Sequence, residues 1–170
     1  MNKEGLSVVI RHKIKPYKKK IKVDSDKSLS IRSFLIGSIC QGVSTAYNVL
    51  ESEDVIDTIT VCKKLGTKIK KVKPKIYKIF GKGLGSFAIK KNSELNFGNS
   101  GTASRLMIGI LSTTPNIQVK LKGDHSLNKR SMEKLIILMS KFGACFFPEN
   151  KFNFPLKMVS SGMPIGIKYE

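Results

Sequence analysis

The feature that most constrains this sequence is an internal repeat of roughly 75 residues. The segment Arg-Ser-Phe-Leu-Ile-Gly at 32–37 returns as Arg-Leu-Met-Ile-Gly at 105–109, and Lys-Lys-Leu-Gly66 returns as Ser-Lys-Phe-Gly143. Each copy has the hydrophobic periodicity of a strand, a helix, a strand, a second helix and two strands. We therefore predict an α/β fold made of two βαβαββ units, which must pack together because neither buries its apolar side alone.

Turn and capping residues place the elements within each copy. In the first copy we predict a short strand near Val23, helices at 28–40 and 53–65, and strands at 45–50, 68–72 and 76–80. Gly42 is expected to stop the first helix, and Ser52 is expected to cap the second. In the second copy we predict helices at 102–111 and 131–142, and strands at 117–121, 144–147 and 152–158.

The charge of the chain restricts its partners to anions without choosing among them. A formal net charge of +19, from 31 basic and 12 acidic residues, occurs in nucleic-acid-binding proteins and also steers small anionic metabolites. Apart from a cluster at 11–22, however, the lysines are dispersed, and only Tyr17 and Tyr77 lie beside basic runs, too few rings for a base-stacking surface. A basic nucleic-acid-binding module stays an alternative, and nucleic acid is not the expected partner.

The cellular location of the protein and the redox state of its cysteines are predicted from sequence patterns that the chain lacks. No apolar run reaches the roughly 20 residues of a membrane span, and residues 1–10 do not follow the pattern of a signal peptide. We therefore expect a cytoplasmic protein that does not bind membranes. The three cysteines Cys40, Cys62 and Cys145 are far apart in apolar stretches, and the chain has two histidines. We expect reduced, buried thiols and no metal site.

Arginine is used sparingly and in particular places. Only four of the basic residues are arginine, and Arg32, Arg105 and Arg130 lie in or beside Gly/Ser/Asn-rich segments near predicted helix starts. A planar guanidinium binds carboxylate or phosphate through two parallel hydrogen bonds, which an ammonium group cannot reproduce. This distribution predicts sites for small anions.

Each copy places a polar segment at the start of its first helix, where unpaired backbone N–H groups and the helix dipole favour anions. The first segment is Lys27-Ser28-x-Ser30-x-Arg32, and the second runs from Gly98 through Asn-Ser-Gly to Thr102. A third, Gly-Asp-His-Ser-Leu-Asn-Lys-Arg at 123–130, fills a loop that is longer than its counterpart in the first copy. Extra loops are common places for function.

Four segments, at 26–32, 50–54, 96–106 and 123–132, resemble in order and spacing those of the 5-enolpyruvylshikimate-3-phosphate synthase family. The resemblance runs from about residue 23 to the end of the chain. It implies transfer of the enolpyruvyl group of phosphoenolpyruvate to the 5-hydroxyl of shikimate 3-phosphate, with release of phosphate and without a metal or organic cofactor. Both substrates are small polyanions, in agreement with the arginine pattern.

The resemblance also implies roles for individual residues. Lys27 would contact both substrates, Ser28 and Arg32 would hold shikimate 3-phosphate, and Gly101 and Arg130 would hold phosphoenolpyruvate. Supporting positions would be Asn99, Thr102 and Arg105. Lys27 is the one candidate catalytic residue, since the family's acid/base carboxylates are expected outside these 170 residues. Ile31 and Ser131 depart from the family pattern without removing a ligand.

Members of the family have two domains of three βαβαββ units each, with the active site in the cleft between them. On this basis residues 1–22 would supply strands and a hinge to the other domain. Residues 23–170 would be an incomplete substrate-binding domain with units at about 23–90 and 91–170. We expect the 170 residues to be inactive by themselves and the complete enzyme to be a monomer.

A related enolpyruvyl transferase that acts on UDP-N-acetylglucosamine is the nearest alternative. It shares the fold, but its usual Lys-Asn pair is replaced here by Lys27-Ser28, and its cysteine-bearing loop is replaced by Asp-His-Ser-Leu at 124–127.

Overall fold

The computed structural model describes residues 23–169 continuously and, before them, residues 9, 11–13, 16, 18, 20 and 21. The strands and hinge predicted within residues 1–22 lie outside this continuous part. The short strand predicted near Val23 is wrong, because residues 23–26 form no regular element and lead directly into the first helix.

The first half of the described chain is a three-stranded sheet with two helices. Strand β3 lies between β1 and β2 and is antiparallel to both. The elements are α1 (Lys27–Ile39), β1 (Gln41–Ala46), α2 (Glu53–Lys64), β2 (Lys68–Lys73) and β3 (Ile76–Lys82).

The second half repeats this arrangement and adds one strand. In the order β4-β5-β7-β6, strands β5, β7 and β6 take the places of β1, β3 and β2, and β4 pairs with β5 in parallel. The elements are β4 (Ser93–Asn96), α3 (Gly101–Ser112), β5 (Gln118–Lys122), α4 (His125–Asn128), α5 (Glu133–Lys141), β6 (Cys145–Phe147) and β7 (Leu156–Val159). The predicted α/β class is confirmed.

Two local predictions are wrong for identifiable reasons. The strand expected at 45–50 lies at 41–46, because α1 ends at Ile39 and turns through an extended Cys40 straight into β1. Gly42, expected to stop the helix, is inside that strand with a φ of +94°. The segment expected to be a loop at 123–130 contains the four-residue helix α4, capped by Asp124.

Close packing fixes α1 on its sheet. A Cβ at Gly81 of β3 would overlap the carbonyl oxygens of Gly37 and Cys40, so only glycine lets β3 approach the helix this closely. Phe34 of α1 is fully buried and meets the Tyr77 ring edge to face, with 5.3 Å between centroids. Helix α1 also contacts α3, so the first helices of the two repeats pack against each other.

The cysteine prediction is correct at one position of three. Cys62 is buried, and burial raises the pKa of its thiol to about 11. Cys40 and Cys145 are exposed, because each lies at the boundary of a strand rather than within an apolar face. Within the described residues no helix is long and apolar enough to cross a membrane.

Candidate active site

The start of α1 places three predicted ligands together. Asp26 caps the helix, with Oδ1 accepting a 2.6 Å hydrogen bond from the Leu29 amide. Ser28 lies in the first turn, and Arg32 one turn later donates from Nη1 to the Ser28 carbonyl oxygen at 3.1 Å. Lys27 extends from this turn with half of its side chain exposed. The arrangement gives one cation at the helix N-terminus and a second one turn along the same helix.

The charge of Lys27 is balanced from the neighbouring helix. Its Nζ lies 2.8 Å from Oδ2 of Asp54 in the first turn of α2, where the Asp54 side chain is only 16% exposed. Asp54 is one of two acids in the first turn of α2, where negative charge compensates the helix dipole. The structure adds a specific role, since the carboxylate holds the ammonium group where the resemblance places a substrate ligand.

Asp57, one turn after Asp54, faces the other helix start. A Cβ at Gly98 would overlap the Asp57 carboxylate, and Gly98 has a φ of +53°, so two independent requirements favour glycine there. Burial raises the pKa of Asp57, and the nearby charges of Glu53 and Asp54 add to this. Through Asp54 and Asp57, the first turns of α2 contact both predicted substrate segments.

The start of α3 is capped from within its own turn. Ser100 accepts a 3.2 Å hydrogen bond from the Ala103 amide, and the Gly98 amide donates to the Asn96 side chain at 3.1 Å. Gly101 is buried as the first residue of the helix, and Thr102 is half-buried after it. Gly101 itself adds no side chain to the turn, and the side chains of Arg105, Arg130 and Leu127 lie over it.

Arg130 follows α4 and points back to this turn. Its Nη2 donates to Oδ1 of Asn99 at 2.7 Å and, more weakly, to Oγ of Ser126 at 3.4 Å. The Asn99 amide nitrogen donates to Oδ2 of Asp124 at 2.8 Å. The pKa of Asp124 is lowered, first by the hydrogen bond from the Leu127 amide and also by those from Asn99 and Ser126 and by the charge of Arg130.

Two guanidinium groups converge on Gly101. A Cβ at this position would lie 3.1 Å from Nη1 of Arg130 and 3.6 Å from Nη1 of Arg105. Arg105 also donates to the Ser131 carbonyl oxygen at 3.3 Å and borders an open depression of about 420 Å³ lined by residues 131–135. Across the described residues, neither arginine forms an ion pair with a carboxylate. Two like charges held near each other by neutral partners favour an anion between them.

Several parts of this arrangement are not visible in the sequence patterns. Asp54 and Asp124 lie in two of the resembling segments, at 50–54 and 123–132, but no pattern assigned a contact to either. Asp57 lies outside all four segments. His125 lies exposed in α4. Among the described residues there is no group of three His, Cys, Asp or Glu side chains able to hold a metal ion.

Comparisons with known proteins agree with the resemblance. The family model described as EPSP synthase (3-phosphoshikimate 1-carboxyvinyltransferase) matches residues 11–170. A 3-phosphoshikimate 1-carboxyvinyltransferase of Leptospira interrogans is 37% identical over 163 residues, which are 95% of this chain and 37% of that protein. One from Streptococcus agalactiae is 41% identical over 124 residues, 73% of this chain and 28% of that protein.

A solved structure gives the same result for the fold. EPSP synthase from Acinetobacter baumannii matches with a TM-score of 0.78 and 33% identity, over 89% of this chain and 34% of that one. The chain thus spans between 28% and 37% of the length of these relatives. The alternative assignment to the enzyme that acts on UDP-N-acetylglucosamine is not favoured. The repeated units have the enolpyruvyl transferase fold, and the chain belongs to the EPSP synthase family.

Proposed function

We propose that this chain is the part of an EPSP synthase that holds both substrates at two neighbouring helix starts. The complete enzyme would add the 5-hydroxyl oxygen of shikimate 3-phosphate to the central carbon of phosphoenolpyruvate, with loss of the hydroxyl proton and gain of a proton at the methylene carbon. Elimination of phosphate together with a proton from the resulting methyl group would then restore the double bond. The observation that carries the proposal is the convergence of Arg105 and Arg130 on Gly101 with neutral hydrogen-bond partners.

Phosphoenolpyruvate is assigned to the second helix start. It carries a carboxylate and a phosphate, and Arg130 has donors besides the one used on Asn99. Because Gly101 has no side chain, an anion can approach the guanidinium groups and the backbone of α3 closely. Thr102 and Arg105 support this position, with Arg105 close enough to share the anion.

Shikimate 3-phosphate is assigned to the first helix start, where Ser28 supplies a hydroxyl and Arg32 a planar cation. Lys27 would contact both substrates, and a substrate anion would replace or share the Asp54 carboxylate with which it pairs. The half-exposed position of Lys27 permits the exchange. The groups that move protons would lie outside these 170 residues, so the role of this chain is to bind and orient.

The remaining parts of the proposal concern the whole protein. Residues 23–170 would form part of a substrate-binding domain with units at 23–90 and 91–170, and residues 1–22 would join the other domain. The enzyme would act in the cytoplasm as a monomer with the two small anions as its partners. The 170 residues by themselves would not catalyse the reaction.

Equilibrium dialysis of the 170-residue chain with labelled substrates tests the assignment. Arg130→Lys keeps the charge but loses the planar fork, so phosphoenolpyruvate binding should weaken by about tenfold or more, and shikimate 3-phosphate binding should not change. Arg32→Lys is the matched control and should show the reverse pattern. Equal effects of both variants on both ligands would overturn the assignment.

A salt series separates the proposal from nucleic-acid binding. Affinity for an oligonucleotide falls steeply with salt because many counterions are released, whereas two small ligands at defined sites lose much less. Tight oligonucleotide binding that Arg32→Lys and Arg130→Lys leave intact, with no binding of either substrate, would support the nucleic-acid alternative instead.

A further inference from the structure

Asp124 makes contacts that the proposed function does not use. Its Oδ1 accepts a hydrogen bond from the Leu127 amide at 2.7 Å, and its Oδ2 accepts one from the Asn99 side chain at 2.8 Å. The Asp124 amide also donates to the Gly98 carbonyl oxygen at 2.8 Å. One residue thus joins the start of α4 to the turn before α3.

The carboxylate determines which way the Asn99 amide faces. An ionised carboxylate only accepts hydrogen bonds, so Asn99 must turn its Nδ2 toward Asp124. Its Oδ1 then faces Arg130 and accepts from Nη2 at 2.7 Å. The reverse orientation would set the Asn99 donor against a guanidinium donor and leave Asp124 without its partner.

The amide between the two charges has an electrostatic consequence. A carboxylate bound directly to Arg130 would orient the guanidinium but would also compete with an incoming anion for its charge. A neutral amide oxygen orients it without taking that place. The charged carboxylate acts one residue further away, where it strengthens the hold on Asn99.

We propose that Asp124 is a positioning residue, which through Asn99 holds the Arg130 guanidinium ready for a carboxylate or phosphate. The proposal rests on the proposed function for the identity of the anion. The orientation of Arg130 itself does not depend on that function.

Asp124 also caps α4, so the test must separate capping from orientation. Asp124→Asn does this, because asparagine caps helices as well as aspartate does but presents its amide nitrogen to Asn99. Asn99 must then reverse and lose its acceptor for Arg130. Asp26→Asn is the matched control, since Asp26 caps α1 in the same way through the Leu29 amide.

The first measurement needs no ligand. ¹⁵N relaxation of the Arg130 Nε–H group in the 170-residue chain should report an ordered side chain. Its order parameter should fall below about 0.6 in Asp124→Asn. In Asp26→Asn the order parameter should be unchanged. An Arg130 group that is disordered in the unaltered chain, or equally ordered in both variants, would overturn the proposal.

The second measurement adds phosphoenolpyruvate and follows the same resonance. Asp124→Asn should weaken phosphoenolpyruvate binding by about tenfold. The melting temperatures of Asp124→Asn and of the Asp26→Asn control should be the same. Arg130 could be ordered as expected while phosphoenolpyruvate leaves its resonance unchanged in the unaltered chain and in both variants. In that case the proposed function fails and the positioning role stands.

Exchanging the two side chains gives the sharpest contrast. Asn99→Asp combined with Asp124→Asn reverses the amide and the carboxylate, restoring every hydrogen bond but placing the negative charge directly on Arg130. Order of Arg130 should return to that of the unaltered chain while phosphoenolpyruvate binding stays weak. Recovery of both would show that the neutral amide has no role, and recovery of neither would show that the hydrogen bonds from Asp124 through Asn99 do not set the orientation of Arg130.

Discussion

The two helix starts occupy equivalent places in the repeat but differ in how their charges are balanced. At α1 the Lys27 ammonium is paired with the nearly buried carboxylate of Asp54. At α3 the Arg130 guanidinium is held by the neutral side chains of Asn99 and Ser126. The repeated topology therefore supplies two helix N-termini. Residues from other elements decide whether the cation at each N-terminus is paired directly with a carboxylate.

The first sheet contains another carboxylate that is paired directly with a lysine. In the first half, Glu51 pairs with Lys71 at 2.8 Å and accepts a hydrogen bond from the Tyr77 hydroxyl at 2.8 Å. The hydrogen bond from Lys71, followed by that from Tyr77, lowers the pKa of Glu51 to about 2. Burial, followed by the Glu51 hydrogen bond, raises the pKa of Tyr77 to about 12. Glu51 thus contacts the Lys71 cation directly, whereas at the second helix start the Asn99 amide lies between Arg130 and the Asp124 carboxylate.

The largest effect is expected from breaking the second turn. Gly98→Ala requires an alanine to adopt the left-handed backbone conformation, which costs about 1–2 kcal/mol. The added Cβ would also overlap the Asp57 carboxylate. The free energy of unfolding should fall by at least that amount in urea titration. Gly109→Ala is the control, because a Cβ there meets no atom within 4 Å and alanine favours the helix by about 0.5–1 kcal/mol. A neutral Gly98→Ala would show that the turn is not constrained as described.

The next effect should appear in binding rather than stability. Gly101→Ala puts a methyl group 3.1 Å from Nη1 of Arg130, so the guanidinium must shift by a few tenths of an ångström. We expect phosphoenolpyruvate to bind up to about tenfold more weakly and shikimate 3-phosphate to bind as before. Dialysis with both ligands checks this, and unchanged phosphoenolpyruvate affinity would remove Gly101 from the site.

Acid should weaken the first half through Glu51. Because its folded pKa is lowered from 4.5 to about 2, its contribution is fully present above pH 4.5 and is lost as pH falls toward 2. Glu51→Gln should remove part of this pH dependence, and Tyr77→Phe should remove a smaller part. Unfolding titrations at several pH values between 2 and 6 measure how the free energy of unfolding depends on pH. If Glu51→Gln leaves this dependence unaltered, Glu51 is not its source.

The smallest effect should come from making the first helix start resemble the second. Asp54→Asn releases Lys27 and should change the free energy of unfolding by less than about 1 kcal/mol, since Lys27 is half-exposed. Inorganic phosphate should then bind more tightly near α1, as followed by the Lys27 side-chain resonance. Glu53→Gln alters the neighbouring carboxylate and keeps the pair, so it should not have this effect.

Much of the fold could be predicted because local signals agree with it. Helix α2 begins directly after Ser52 as predicted, although the Ser52 hydroxyl donates and accepts no capping hydrogen bond. Acids in its first turn and lysines in its last agree with the predicted bounds. The position of β1 could not be predicted, because Gly42 signals a helix stop in the sequence and adopts a positive φ inside a strand in the structure. Helix α4 is too short to show periodicity.

The sequence describes the candidate site as a set of segments and does not describe the contacts between them. Lys27, Gly101 and Arg130 were assigned by resemblance, and the structure places each at or beside a helix start. The partners that set their electrostatics are distant in sequence: Asp54 lies 27 residues from Lys27, and Asn99 lies 31 residues from Arg130. Such pairs depend on how α2 and α4 pack, which no local pattern encodes.

A crystal structure of the chain soaked with phosphoenolpyruvate tests the central claim most directly. The account predicts the ligand between Arg105, Arg130 and the backbone of Gly101, with the Lys27–Asp54 pair intact or shared at its edge. Phosphoenolpyruvate bound at the start of α1 instead, with Arg105 and Arg130 unoccupied, would contradict the claim that charge balance distinguishes the two helix starts.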